Sequence, residues 1–231
     1  MAQDQGALGE LQRQAQARGL DAPQAAAFLA GAAWFLDEPP AHKGRSYPYI
    51  DAAGRLLPLA QADAFSAGHE AAGGGALWRV PLGEGLWLGA SIQLDRGRCA
   101  LTQAQMTGWG VAEDRVTSAL RSMLFHKSWD VVPRVEGAWE LYQAGDGLDA
   151  ERALILEDLD YGRFRAGLWV ALPHAGALMV LEVARLEQRA AFAQAARARY
   201  EAAAQGSDPA HVPLSPRVYA LERWDRLREV A

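Results

Sequence analysis

The hydrophobic and polar positions change period several times along the chain. Near the N-terminus Leu8, Leu11 and Ala15 form a weak apolar stripe, and "LDAPQAAAFLAGAAWFL" starts with Asp21 at an N-cap position and Pro23 in the first turn, so residues 1–40 are expected to be a helical segment. The stop is Asp37, Glu38, Pro39 and Pro40, because proline can neither donate to a helix nor leave the preceding residue helical. Residues 41–76 show no sustained period: "AHKGRSYP" reads as linker, and 60–75 as a loop or short helix running into "AAGGGA".

From residue 77 the pattern sharpens. Leu86, Leu88, Ala90, Ile92 and Leu94 alternate with Trp87, Gly89, Ser91 and Gln93, the period of a half-buried strand. After a turn at "DRGR", a short strand is expected around Cys99, and Thr102 with Gln105 three residues on forms a capping box for a helix that Gly110 can end. Val116, Ala119, Leu120, Met123 and Leu124 then recur at helical spacing. Strands are expected over 131–135 and 138–143, a helix over 150–161, two buried strands flanking Pro173, an alanine-rich helix over 184–204 and a last strand near Val218. Strands paired through short turns and separated by single helices predict an α+β fold, an antiparallel sheet with packed helices preceded by the N-terminal helical segment. The expected organisation is 1–40 helical, 41–76 linker and 77–231 the α+β domain.

The runs "PLGEGLWLGASIQLD", "LTQAQMTGWGVAEDRV", "WELYQAGDGLDAERALIL", "LWVALPHAGALMVL" and "PLSPRVYALE" resemble, in this order, landmarks of the YtpQ-like family of bacterial proteins, over about residues 77–222. The resemblance implies a cytosolic α/β or α+β protein and brings no established chemistry. It also implies a polar hairpin tip carrying an aspartate after the penultimate Leu-Pro, where this chain has His174, Ala175, Gly176 and Ala177.

Composition narrows the function classes. Twenty-eight acidic and 23 basic residues, net -5, give little attraction to polyanions, so nucleic acid is disfavoured as a partner. One cysteine, Cys99, forms no internal disulfide, and "MAQDQGALGE" has no basic and apolar leader, which points to the cytoplasm. The longest apolar run, 167–181, is broken by Pro173, His174 and Gly176 and is too short to span a membrane.

Patterns that carry chemistry are few. Five dispersed histidines and a lone cysteine offer no metal-ligand spacing, so no metal or cofactor is expected. There is no P-loop, no GxSxG and no SxxK, and "GEGLWLG" mis-spaces the dinucleotide fingerprint. Cys99 in a strand reads as a small buried thiol. Glu157, Asp158 and Asp160, and the arginines of the alanine-rich helix, read as solvated faces. Most of the eight tryptophans belong in the core, Trp87 excepted, since alternation puts it opposite the leucine face.

The expected function is a non-catalytic, partner-binding or regulatory module with a protein partner, using a surface at Trp87 or at the hairpin tip of His174. The alternative is an enzyme, most readily a hydrolase, with a site near the His174 hairpin and the Gly145-Asp146-Gly147 turn. In that turn both glycines are expected at positive φ, Asp146 is expected to stabilise the corner, and Asp149 to cap the helix from Ala150.

Overall fold

In the computed structural model, which describes residues 2–38, 47–95, 97–206 and 211–230, α1 (Ala2–Ala17) and α2 (Ala22–Asp37) form the N-terminal helical segment. The Asp21 carboxylate accepts the Gln24 N–H and the Gln24 side chain answers to the Asp21 N–H, a complete capping box. Pro39, Pro40 and the first residues of the expected linker, 41–46, lie outside the described residues.

The linker reading of 41–76 is corrected beyond that point. Tyr49–Ala52 form α3 and Leu56–Ala62 form β1, neither of them expected, whereas Asp63–Ala71 form α4, the short helix that was one expectation for 60–75. β1, "LLPLAQA", is buried along nearly its whole length, so it lacks the alternation that betrays a strand. Its proline is tolerated because β1 is an edge strand. β1 belongs to an antiparallel sheet with β2 (Arg79–Gly83), β3 (Leu86–Gln93) and β4 (Arg98–Ala100). β3 is central, with β1 along one edge and β2 and β4 along the other.

Two helices follow, α5 (Gln103–Trp109) with its Thr102–Gln105 capping box and a left-handed Gly110 at its end, and α6 (Glu113–Ser128). The second sheet begins with β5 (Arg134–Glu136), later than the expected 131–135, and β6 (Trp139–Tyr142). The helix expected over 150–161 is broken into a 3-10 turn, Ala150–Ile155, then α7 (Leu156–Leu159) and α8 (Tyr161–Ala166). The break is at Asp160, whose extended backbone (φ -149°, ψ 80°) lets its carboxylate cap α8 through the Arg163 N–H at 3.0 Å. β7 (Leu168–His174) and β8 (Ala177–Glu182) form the buried hairpin. A 3-10 turn with a non-helical Arg185 precedes α9 (Arg189–Ala203), and β9 (Val218–Arg223) is followed by an unexpected β10 (Arg226–Glu229). The spatial order of this six-stranded antiparallel sheet is β10-β9-β7-β8-β6-β5.

The sheets share a core. Leu57, Leu86 and Leu88 of the first meet Val170, Leu172 and Val180 of the second, with Leu154 and Ile155 of the 3-10 turn between them. Trp169, Ala171 and Met179 on the opposite face of the second sheet pack on Phe192 and Ala196 of α9. β7 is therefore covered on both faces, which accounts for its unbroken apolar run. The first sheet places Ala90, Ile92 and Cys99 against Met106 of α5 and Val116 and Leu120 of α6. On its far side α2 and α4 cross with no room for side chains between them. A Cβ on Gly31 would stand 1.9 Å from the Phe65 carbonyl oxygen, and one on Gly68 would stand 1.8 Å from that of Phe28.

Candidate functional site

The corner at Gly145-Asp146-Gly147 takes the expected shape, with φ of 76° at Gly145 and 73° at Gly147. One Asp146 oxygen accepts the Leu148 N–H at 3.0 Å, the local bond that closes an Asx turn. What the sequence did not reveal is Arg152. Its side chain is wholly buried, and its two terminal nitrogens grip both Asp146 oxygens, at 3.0 and 2.6 Å, and Asp149 at 2.8 Å.

Asp149 is not the helix cap expected of it. Its backbone is already helical (φ -66°, ψ -47°), and its carboxylate turns back to accept the N–H groups of Ala144 at 2.7 Å and Gly145 at 3.0 Å. The corner is thus closed by a buried cation between two carboxylates. Burial alone would raise the Asp146 pKa, but the bonds and charge of Arg152 outweigh it and hold the carboxyl below the ordinary range. Both Asp146 oxygens are thus engaged in holding the turn to Arg152.

Glu151, beside Arg152, is a second buried carboxyl. One oxygen accepts the Ala60 N–H at 2.8 Å and so covers part of the open edge of β1. The other has no hydrogen-bond partner among the described residues. Burial pushes its pKa up to about 7, with Arg98 opposing the shift and Asp149 adding to it.

The expectation of an exposed hairpin tip at His174 is overturned. His174 is 6% exposed, with its ring 4.5 Å from that of His211. The tip is clamped from two sides: Ala175 donates its N–H to the Val212 carbonyl at 2.9 Å and its carbonyl accepts the Ala150 N–H at 3.2 Å. The hairpin and the Gly-Asp-Gly corner therefore adjoin, but as packed structure with little access for a substrate.

Trp87 is half-buried, and the chain itself supplies its cover. Its indole N–H donates to Asp63 at 2.8 Å, and the Arg79 guanidinium lies 4.2 Å from the ring centre. Glu157 and Asp158 are not simply solvated, since both approach Arg121, Asp158 through a paired contact at 2.7 Å. Cys99 is buried, and burial, with the negative charge of Glu38 adding to it, pushes its thiol up to about 12, so no thiolate is available as a nucleophile near neutral pH.

A sizeable cavity lies elsewhere. A cleft of about 770 Å³ opens between the helical layer and the two sheets, lined by Arg18, Asp21, Ala64, Tyr200, Ser215 and Arg217 among others. Tyr200 is part of its lining: burial raises its pKa, Asp21 adds to the rise and Arg217 opposes it. Arg217 is fixed from behind, donating to the Glu84 carbonyl at 3.0 Å and pairing with Glu229 at 3.2 Å. Ser215 and the Tyr219 hydroxyl, 2.7 Å apart, continue to the same Glu84 carbonyl. Other charges on the walls are also matched, Arg197 by Glu201 and Asp63 by Arg79. These residues come from separated segments, and no local pattern announces them.

Among the described residues, no group of three or more histidine, cysteine or acidic side chains is placed to hold a metal ion, and no helix is long and apolar enough to cross a membrane. Comparison with protein-family models, with curated proteins and with solved structures found no match for this chain.

Proposed function

We propose that this chain is a non-catalytic binding module, a YtpQ-like protein of the cytoplasm, and that its cleft receives a peptide segment of a protein partner. The observation that carries the reading is the cleft of about 770 Å³ whose arginines and carboxylates are largely paired within the chain. Such walls offer no concentrated charge for a phosphate or a nucleic acid. They offer polar groups together with the apolar side chains of Leu20, Pro23, Leu214 and Pro216 and the ring of Tyr200, and this mixture matches the composition of protein recognition surfaces. Trp87 joins the same region through Asp63, which lines the cleft.

A photo-crosslinking amino acid in place of Tyr200 tests this in the native cell. The expected result is an adduct with one defined protein, diminished when Ala64→Trp places a bulky side chain in the lining of the cleft. No adduct, or one indifferent to Ala64→Trp, would overturn the reading. The contact between the His174 hairpin and the corner at Asp146 favours a second reading, a hydrolytic site at that junction. Hydrolysis by the purified chain that is lost in His174→Ala would establish it instead.

A further inference from the structure

β5 is an outer strand of the six-stranded sheet, paired among the described residues with β6 alone. The two strands are joined by the two-residue turn Gly137-Ala138, with Gly137 at φ 65°, and the register is Glu136 to Trp139, Val135 to Glu140 and Arg134 to Leu141. In such a hairpin the closing pair exchanges both backbone bonds and the next pair exchanges none. Arg134 and Glu136 are thus bonded to β6, while Val135 turns its N–H and carbonyl outward. No described residue takes up these two groups. The Val135 side chain is 69% exposed, and on the same short segment Trp129 is 71% and Val132 85% exposed.

Unprotected edges of this kind are usually blunted by charge or covered. Here the charges read as their own complement. Arg134 and Glu136 flank Val135 and project from one face, where both Arg134 and Arg199 of α9 bond Glu136. If a second copy lies antiparallel along this edge with Val135 opposite Val135, each Arg134 stands opposite the other copy's Glu136. The two valines exchange the two backbone bonds that each copy leaves open, and the number of ion pairs is unchanged.

We propose that the chain forms a two-fold symmetric homodimer in which β5 pairs antiparallel with β5 of a second copy, centred on Val135. The contact is isologous, as closed dimers require. A three-residue ladder is too small to hold a dimer alone; Trp129 and Val132 supply the apolar area that adds to it. The inference is independent of the cleft and of any partner that enters it.

Sedimentation velocity on the full chain over a micromolar concentration series tests the proposal. The wild type is expected to dimerise. Val135→Pro, which removes the outward N–H and no bond inside the hairpin, is expected to be monomeric with its melting temperature little changed. Two charge variants test the register itself. Arg134→Glu leaves two acidic residues on the edge and Glu136→Arg leaves two basic ones, so each alone is expected to lose the dimer. Mixed together, they are complementary at both positions and should pair. A wild type that stays monomeric, single charge variants that dimerise as tightly as wild type, or a mixture that fails to associate would each overturn the proposal.

Discussion

Arg152 and Asp149, three residues apart on one turn, form an ion pair at 2.8 Å in which both side chains are wholly buried. A buried pair of this kind says little about net stability as a unit, because desolvation offsets much of the attraction. Removing one partner is different, since without Asp149 the buried guanidinium is left with Asp146 alone, whose side chain is partly exposed. Asp149→Ala also frees the N–H groups of Ala144 and Gly145. The expected loss is about 3 to 5 kcal/mol in urea unfolding, well above the roughly 1 kcal/mol of a lost helix cap. A loss at the cap level would show that the pair is not formed in solution.

The crossing of α2 on α4 gives a second test. Gly31→Ala and Gly68→Ala each place a methyl group within 2 Å of a carbonyl oxygen on the facing helix, at 1.9 and 1.8 Å. Backbone cannot yield as a side-chain tip would, so the helices must separate, and each variant is expected to lose about 3 kcal/mol or more. Gly108→Ala in α5 is the control, because nothing lies within 4 Å of its added carbon. There the better helix propensity of alanine should stabilise by up to about 1 kcal/mol. Equal effects at the three glycines would refute the close crossing.

What the sequence disclosed and what it hid divides along the range of the interactions. The capping boxes at Asp21 and Thr102, the left-handed Gly110 and the strand β3 are set within a few residues, and all four are found, although β3 is buried at Gly89 and Ser91 as well as on its leucine face and so is not the half-buried strand expected. β1 was hidden because burial on both faces removes the alternation, and β10 because Leu227 is its lone apolar residue. Asp149 has the chemistry of a cap, yet its oxygens are taken by Ala144, Gly145 and Arg152. His174 follows the local rule for an exposed hairpin tip and is buried by Val212 and its neighbours, distant in sequence. The cleft is assembled from five such distant segments and has no signature at all.

The burial of Cys99 predicts chemical silence. Its thiol, pushed up to about 12, carries almost no thiolate at pH 8, and its side chain is 1% exposed. A thiol-specific reagent should react with the native chain only as fast as the chain unfolds, and at once in denaturant. Cys99→Ala should fold normally with a loss of about 1 kcal/mol for the smaller side chain. Rapid modification of the native chain would show that the strand carrying Cys99 opens and that its thiol is reactive in the folded state.

Glu151 ties stability to pH in a direction opposite to that of a salt-bridged carboxylate. Its pKa is pushed up to about 7 in the folded chain by burial, from an ordinary value near 4.3 when unfolded. Between those values the native state binds more protons than the unfolded state, so stability must fall as pH rises. The contribution is fully present below about pH 4, declines through the window and is lost above about pH 7, for a total on the order of 3 kcal/mol. Asp146, held low by Arg152, contributes with the opposite sign at lower pH, so the total curve alone does not isolate Glu151. Glu151→Gln does isolate it. The amide oxygen can still accept the Ala60 N–H, but the side chain no longer ionises. Wild type and variant should therefore be similar near pH 4, and the variant should become progressively more stable up to about pH 7, with a constant difference above. Urea unfolding at a series of pH values measures that difference directly. A difference independent of pH between 4 and 8 would mean that Glu151 titrates as an ordinary solvated carboxyl, and that its contact with β1 is open to water.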